Sequence, residues 1–335
     1  MRLHRSVVSG MTVEVRRSAG RLLRLSFLLT ILTSLSPTFL RAQAWTKGEG
    51  EIYTKLAYGS STASQQFTFD GRTKEYADNV EGNAFFDRSL YLYGEAGITP
   101  DFTMVGGLAY KRTIIRDAAF RYRTFALGNL QIGGRYAITK LLGLDGGAEA
   151  FAVNGSLSIP TGYSRNRTPS AGGGQLDAEL NLSYGHSFYP APVYLQAAVG
   201  YRFRSDIYAF STAVPCSEGI DKDCFADTKP SFGDEMFGGI EGGVTIADRV
   251  LIQALVNSTW SIAAPETGFT VSNPVPTQQR FIKVGGGVAA SLWKGFGIST
   301  QIFFTPYGRN SINSMDLFFG IDYRMTLGAK PTVTP

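Results

Sequence analysis

The segment Ser314–Gly328, "SMDLFFGIDYRMTLG", decides the fold class because its two faces differ completely. Met315, Leu317, Phe319, Ile321, Tyr323 and Met325 share one face, while Asp316, Phe318, Gly320, Asp322 and Arg324 share the other. Alternation with a period of two residues is typical of a β-strand. One face is wholly apolar and the other holds three charges, so we expect this strand to separate lipid from a polar interior.

The same alternation recurs along the chain. It predicts twelve strands, at about residues 50–59, 88–98, 102–112, 127–138, 147–160, 175–186, 193–205, 234–246, 249–261, 280–293, 296–305 and 313–326. An even number of strands is expected for single-chain barrels of the bacterial outer membrane. Two segments are less regular, because Glu149 falls on the apolar side of its strand, and Leu251 and Leu255 fall on the polar side.

The connections between these segments alternate in length. Short ones, such as "TPD", "KLLGLD", "SFYPAP", "AD" and "KG", alternate with mostly longer ones, such as residues 60–87, 161–174, 206–233 and 262–279. Tight periplasmic turns and longer outer loops produce this pattern in a barrel whose termini are both periplasmic. The sequence therefore predicts an all-β fold, a 12-stranded antiparallel up-and-down transmembrane β-barrel. A soluble β-sandwich also alternates, but its turns need not alternate in length.

Two details refine the predicted barrel. Asp70-Gly71 is a hairpin signal, so we expect a strand pair that extends above the membrane in the first outer loop. Aromatic residues at strand ends are typical of interfacial girdles. Trp45, Phe188, Tyr189 and Trp293 are predicted at the periplasmic interface, and Trp260 at the opposite one.

The N-terminal region predicts export. Six arginines precede the apolar stretch "LSFLLTILTSLSPTFL", and Ala42-Gln43-Ala44 has the small-x-small pattern of a cleavage site. We expect residues 1–44 to be a cleaved signal peptide, residues 45–328 to be the barrel and residues 329–335 to be a C-terminal tail. Either Met1 or Met11 could start the chain. Strand 1 would then begin about six residues after cleavage, which predicts no room for an N-terminal plug.

Removal of this leader changes the charge of the protein. Residues 1–44 hold seven of the 32 Lys and Arg residues and one of the 27 Asp and Glu residues, which leaves 25 bases and 26 acids. The net charge of the mature chain is then −1, against +5 for the full chain. No basic excess is left for a nucleic acid partner. "GGAEAFAVNG" lacks the Lys-Ser/Thr of a phosphate-binding loop, and the sequence predicts no cofactor.

Several stretches resemble one family of outer-membrane barrels, named for the meta-pathway of phenol degradation. They are "SLYLYGEAGITPDFTMVGGLAYKR", "ALGNLQIGGRYAIT", "SLSIPTG" and "GGQLDAELNLSYGHSF" followed by "VYLQAAVGYRFRSD". The resemblance runs from about Glu51 to Arg324. It implies an outer-membrane barrel that transports solutes of aromatic catabolism and that the outer-membrane assembly machinery inserts. Many such barrels end on an aromatic residue, whereas this chain continues as "GAKPTVTP".

The parity of the strands predicts which charges face the lumen. Seven bases are expected there (Lys55, Lys111, Arg135, Arg202, Arg204, Lys283 and Arg324) and seven acids (Glu51, Glu95, Asp177, Glu179, Glu241, Asp316 and Asp322). The short turn after residue 186 places Asp177 opposite Arg204 and Glu179 opposite Arg202. If the last strand closes the barrel against the first, Asp322 and Arg324 come near Lys55 and Glu51. These charges either pair and fill the barrel, or line a constriction that orients a polar solute.

Other sites are weaker candidates. Cys216 and Cys224 of an exported chain are expected to form a local disulfide, and no metal site is predicted. A hydrolase would need a general base. The mature chain has one histidine, His186, which we expect at the periplasmic interface. We therefore expect no enzyme. The expected function is a channel for passive passage of small solutes, with aromatic compounds implied by the resemblance. The alternative is a non-conducting structural or surface-binding barrel that acts through its long outer loops.

Overall fold

A computed structural model describes residues 44–144, 147–216, 224, 229, 231–265 and 277–327. Residues 1–43 of the predicted signal peptide and the predicted tail lie outside these ranges, so both stay predictions. Among the described residues, no helix has the length and apolar character needed to cross a bilayer.

The described part of the chain contains fourteen strands and a single turn of 3-10 helix at Lys140–Leu142. The strands are β1 (Glu51–Phe67), β2 (Thr73–Glu75), β3 (Phe85–Thr99), β4 (Phe102–Arg116), β5 (Arg121–Leu127), β6 (Leu130–Ala137), β7 (Glu149–Ile159), β8 (Asp177–Ser187), β9 (Val193–Arg204), β10 (Glu235–Ile246), β11 (Val250–Ser261), β12 (Arg280–Ser291), β13 (Phe296–Arg309) and β14 (Ser311–Thr326).

Twelve of the described strands, all except β2 and β5, form one closed antiparallel wall. Each of these strands pairs with its neighbours in the chain, and β14 returns to pair with β1. The closing ladder runs from Glu51 opposite Thr326 to Phe67 opposite Ser311, with a register shift between Thr62 and Gln65. The predicted 12-stranded barrel is therefore confirmed, and the sandwich alternative is wrong because the sheet closes on itself.

Alternation along each strand sends polar side chains inward and apolar ones outward. On β14, Asp316 and Asp322 are 1% and 5% exposed, whereas Phe319 and Ile321 are 53% and 59% exposed. The same contrast follows the other strands, and Leu182 on β8 is 56% exposed. A soluble protein would bury this apolar band, since a large exposed apolar surface is stable only against lipid. The chain is thus an outer-membrane β-barrel.

The two ends of the barrel differ in their connections. At the end that we call periplasmic, Ala247 and Asp248 form a tight turn between β10 and β11, and Lys294 and Gly295 form one between β12 and β13. The opposite, outer end carries longer loops. One outer connection is much shorter than its predicted span, because β13 and β14 extend toward each other and are joined at Asn310, whose φ is 48°.

The first outer loop contains the predicted hairpin. The Gly71 amide donates to the Thr68 carbonyl at 3.1 Å, and Gly71 itself has a φ of 88°, which glycine adopts without steric cost. The short strand β2 then pairs with the outer end of β1, with Thr73 opposite Phe67. The strand extension predicted from Asp70-Gly71 is confirmed.

The strand predicted at residues 127–138 corresponds to β6, and a separate strand, β5, precedes it. The strand β5 pairs with the outer half of β4, and β6 pairs with its periplasmic half. Gly128 and Asn129 separate the two strands, and the Asn129 side-chain amide donates to the Ser158 hydroxyl at 2.8 Å. The predicted segment therefore starts three residues before β6.

Part of the interior is apolar, which explains one irregularity of the sequence. Leu251 and Leu255 on β11 do point inward, and they are 1% and 3% exposed. Leu255 belongs to a buried cluster that includes Tyr91, Phe303 and Phe318. The interior of this barrel is therefore packed in part like a protein core, and the polar side of a strand need not be uniformly polar.

Candidate functional site

A cavity of about 520 Å³ occupies the outer half of the barrel interior. Inward-pointing side chains from strands on opposite sides of the barrel line it, and the loop segment 169–173 lies against it. We call this cavity the outer vestibule. The vestibule brings together many of the predicted lumen charges, namely Lys111, Asp177, Glu179, Arg202, Arg204, Lys283 and Asp316.

Two arginines and three carboxylates form the densest charged group on the vestibule wall. Arg202 Nε lies 2.6 Å from Glu179 Oε1, and Arg204 Nε lies 3.1 Å from Asp177 Oδ1. Both arginines also bind Glu235, through Arg202 Nη1 and, at 3.2 Å, Arg204 Nη1. Asp177 stands opposite Arg204 and Glu179 opposite Arg202 in the β8–β9 ladder, so the predicted register is confirmed. We call these five residues the arginine cluster.

Two further ion pairs line the vestibule on other parts of the wall. Lys111 on β4 lies 3.5 Å from Asp87 on β3, and Lys283 on β12 binds Asp316 on β14. Together with the arginine cluster, these pairs occupy three separate sectors of the wall, on β3–β4, β8–β10 and β12–β14. Positive and negative groups thus alternate around the vestibule, and neither sign dominates.

Aromatic side chains lie beneath these charges. Tyr91 and Phe318 meet edge to face with ring centroids 6.0 Å apart, and Phe303 meets Phe318 in the same way at 6.2 Å. Tyr91 and Phe318 also border the vestibule. The vestibule therefore offers a solute both charged hydrogen-bonding groups and aromatic surface.

Outer loops fold over the vestibule and bind one another. The Tyr163 hydroxyl donates to Asn129 Oδ1 at 2.7 Å and accepts from the Gly174 amide at 3.0 Å. The Asn166 side chain donates to the Val214 carbonyl at 2.9 Å and accepts from the Val214 amide at 3.0 Å. The loop between β7 and β8 is thereby tied to the wall and to the loop that follows β9.

The structure joins Cys216 to Cys224 in the disulfide expected from the sequence. The bond lies beside Asn166, whose Nδ2 atom is 3.4 Å from Cys216 Sγ. Among the described residues, no group of three or more His, Cys, Asp or Glu side chains could hold a metal ion.

The periplasmic mouth holds a feature that sequence reasoning excluded. Residues 44–48 belong to no strand and cross the periplasmic mouth. Lys47 is buried there, Gly48 is exposed, and Arg135 Nη1 donates to the Trp45 carbonyl at 2.9 Å. The Trp45 ring packs against the inner face of Gly185, where an added Cβ would lie 2.6 Å from it. Trp45 is therefore not a girdle residue. The prediction that no N-terminal plug fits stays a prediction, but it overlooked that the few residues before β1 enter the mouth themselves.

The remaining predicted residues lie below the vestibule. Glu95 is within 3.4 Å of Arg135, and Glu241 accepts a hydrogen bond from the Tyr194 hydroxyl. At the seam, Lys55 stands opposite Asp322 as predicted. Arg324 instead stands opposite Tyr53, with its guanidinium 5.6 Å from that ring, and Glu51 accepts from the Gly48 amide at 2.9 Å. Tyr53 intervenes in the ladder, so the predicted proximity of Arg324 and Glu51 gives no ion pair between them.

His186 lies on the lipid-facing side of β8, near the periplasmic end of the strand. Its Nδ1 atom is 3.8 Å from Glu149 Oε1, and its ring packs edge to face on Phe188. This pairing also accounts for Glu149 on the apolar side of its strand. Ser183 points to the opposite face, where Asn154 donates to its hydroxyl at 2.9 Å, so it cannot form a catalytic pair with His186.

Sequence reasoning missed three charged residues of the interior. Glu235 shares its parity with Glu241 on β10, and that parity alone could have identified it. Asp87 fell one residue outside the predicted second strand. Lys47, whose Nζ atom is 3.2 Å from Glu95 Oε2, lies before the first strand, where no periodicity can reveal the direction of a side chain.

No family model matches the chain, and no curated protein matches it. Among solved structures, an outer membrane channel from Pseudomonas putida F1 superposes with a TM-score of 0.66 at 10% identity, covering 87% of this chain and 100% of that one. The NanC porin gives 0.49 at 6% identity, covering 81% and 100%. The CymD monoaromatic hydrocarbon channel gives 0.40 at 9%, covering 84% and 89%. At such identities the first likeness shows a shared outer-membrane barrel fold and the other two carry no argument, so the phenol-degradation resemblance stays a hypothesis.

Proposed function

We propose that this barrel is a passive channel that admits small solutes across the outer membrane through the outer vestibule. The observation that supports this proposal most is the vestibule itself, a cavity of about 520 Å³ lined by charged side chains of both signs. Pores that select strongly for one ion sign carry an excess of the opposite charge. A balanced lining suits neutral or zwitterionic solutes better than ions of one sign.

The arginine cluster is the proposed constriction. Its five charged groups project from three adjacent strands at the level of the vestibule and offer both donors and acceptors to a passing solute. Lys111, Lys283 and Asp316 line other parts of the vestibule. The remaining predicted lumen residues fill the interior below it and are proposed to shape the path rather than to bind the solute first.

Aromatic compounds are the proposed solute class within this function. Tyr91 and Phe318 border the vestibule, and an aromatic solute can stack on such rings while its polar substituents reach the charged pairs. The resemblance to the phenol-degradation family points to the same solutes.

Recording from single molecules of purified, refolded protein in planar bilayers tests the proposal. We expect discrete conductance steps, and we expect an aromatic alcohol on the outer side to interrupt the current in a concentration-dependent way that glucose does not reproduce. Folded protein that gives no conductance at any voltage would overturn the channel function. Conductance without aromatic block would overturn only the solute class.

The second candidate is a non-conducting, surface-binding barrel. It is favoured by the interlocked outer loops, in which Asn166 binds Val214 beside the disulfide, and by the buried side chains beneath the vestibule. The same recording separates the two candidates, because a surface-binding barrel gives no current when it is folded.

A further inference from the structure

We infer that residues 45–48, the first residues of the predicted mature chain, form the periplasmic gate of this channel, held shut by Lys47, Glu95 and Arg135. The inference rests on the proposed channel function, and it adds the position of the closing element and the contacts that must break. We call residues 45–48 the gate segment and the three charged residues the latch.

The gate segment differs in one respect from the rest of the filled interior. Most side chains that fill the described interior project from wall strands, whose backbones are fixed by hydrogen bonds on both sides. Residues 45–48 form no ladder with any strand. An element outside the sheet can leave the lumen without breaking the wall, whereas a wall strand cannot.

The latch holds this segment through charged side chains that are themselves buried. Lys47 Nζ lies 3.2 Å from Glu95 Oε2, and Arg135 Nη2 lies 3.4 Å from Glu95 Oε1. Arg135 also donates from Nη1 to the Trp45 carbonyl at 2.9 Å. Glu95 and Arg135 belong to β3 and β6, so the latch fixes the segment to two strands of the wall at once. Removal of one member of a buried charged group leaves an uncompensated charge, which strongly destabilises the arrangement.

Neutral contacts complete the hold. The Lys47 amide donates to Thr103 Oγ1 at 2.7 Å, and the Thr46 hydroxyl donates to the Pro100 carbonyl at 3.1 Å. The backbone of the segment also lies directly on the wall at Gly97, where an added Cβ would lie 1.9 Å from the Gly48 carbonyl oxygen. Only glycine at position 97 leaves room for the segment in this position.

This close approach supplies a way to displace the segment without changing any charge. A Gly97→Ala substitution places a methyl group where the Gly48 carbonyl stands, so the segment must move away from the wall. Gly94→Ala on the same strand is the matched control, because its added Cβ would meet its nearest neighbour, the Tyr53 carbonyl oxygen, at 3.8 Å.

A second pair of variants removes the latch instead. Lys47→Ala breaks the buried pair with Glu95. Lys140→Ala is its control, because it breaks an exposed pair at the same end of the barrel, in which Lys140 Nζ lies 2.9 Å from Asp101 Oδ1. The two approaches are independent, so a folding defect in one variant leaves the other informative.

The experiment measures single-channel conductance of all four full-chain variants and the unmodified protein in planar bilayers, with folding checked by heat-modifiable migration in gels. We expect several-fold higher conductance for Gly97→Ala and Lys47→Ala, and no change for the two controls. Equal conductance in all five proteins would overturn the gate and leave the channel standing. An absence of conductance in all five, although folded, would overturn the channel function and the gate with it.

Discussion

Arg204 lies directly opposite Asp177 across the β8–β9 ladder, with its Nε atom 3.1 Å from Asp177 Oδ1. Its Nη1 atom is 3.2 Å from Glu235 Oε1 on the next strand, β10. The planar guanidinium presents donors in several directions, so one arginine can bind two carboxylates. Arg202 repeats the arrangement with Glu179 and Glu235. Three strands are thereby joined at the vestibule, with three carboxylates facing two guanidinium groups.

The charge balance of the vestibule predicts its ion selectivity. We expect Arg202→Gln to shift the reversal potential in a KCl gradient toward the equilibrium potential of K⁺. The reason is that Glu179 and Glu235 lose a neutralising partner, so the pore becomes more selective for cations. Measurement of current against voltage in a planar bilayer checks this. Arg249→Gln, an exposed arginine at a periplasmic turn, is the control with the same change of charge.

The double variant Arg202→Gln/Glu235→Gln restores the original charge count of the arginine cluster. We expect it to return the reversal potential toward that of the unmodified protein. If Arg202→Gln and Arg249→Gln gave the same reversal potential, the arginine cluster would lie outside the path of the ions.

The lipid-facing wall predicts a different kind of sensitivity. Leu182 lies midway along β8 and is 56% exposed. A basic side chain facing lipid near the bilayer midplane costs about 2–4 kcal/mol in such barrels. We therefore expect Leu182→Arg to lower the free energy of unfolding by that amount in denaturant titrations of lipid-embedded protein. Leu182→Phe should cost much less, and equal losses for both would contradict the assignment of this face to lipid.

The fold could be predicted because a barrel repeats one simple pattern twelve times. Each strand alternates with period two, and the short turns alternate with long loops, so errors at single boundaries do not alter the topology. The register of Asp177 with Arg204 was also predictable, since a tight turn fixes the pairing of its hairpin. Charges on different hairpins, such as Lys283 and Asp316, could be assigned to the lumen but not to each other.

The gate segment could not be predicted, and the reason is physical. Lys47 lies before β1, where the chain has no periodicity, and its direction depends on a contact with Glu95 that is 48 residues away in the sequence. Gly97 looked like one glycine among the 39 of the chain. Its role depends on a backbone approach from another segment, which only the folded structure brings about.

Close contact between wall strands makes a further prediction about glycine. At Gly133 on β6, an added Cβ would lie 2.4 Å from the Gly155 carbonyl oxygen of β7. Overpacking of this kind costs about 1–3 kcal/mol. We expect Gly133→Ala to lower the free energy of unfolding by that amount. Gly155→Ala, whose Cβ would meet its nearest neighbour at 3.9 Å, is the control. Equal stability of the two variants would show that the wall yields at this point.

The disulfide is predicted to stabilise the outer loop and not the barrel. Cys216 and Cys224 are eight residues apart. In the chain-entropy model, closing a loop of this size raises the free energy of the unfolded loop by about 2–3 kcal/mol, because it lowers its conformational entropy. The bond lies beside Asn166, which binds both the amide and the carbonyl of Val214. We expect Cys216→Ser/Cys224→Ser to be cleaved faster by trypsin after Lys222, while the denaturation midpoint of the barrel stays the same.

Asn166→Ala separates the two parts of this anchorage, because it keeps the disulfide and removes the hydrogen bonds to Val214. We expect a smaller increase in cleavage from it than from the loss of both cysteines, since the covalent closure of the loop is retained. Strand β9 ends at Arg204 and strand β10 begins at Glu235. The ion pair between these two residues joins the strands independently of the loop. A fall in the denaturation midpoint of the double serine variant would therefore contradict this division between loop and wall.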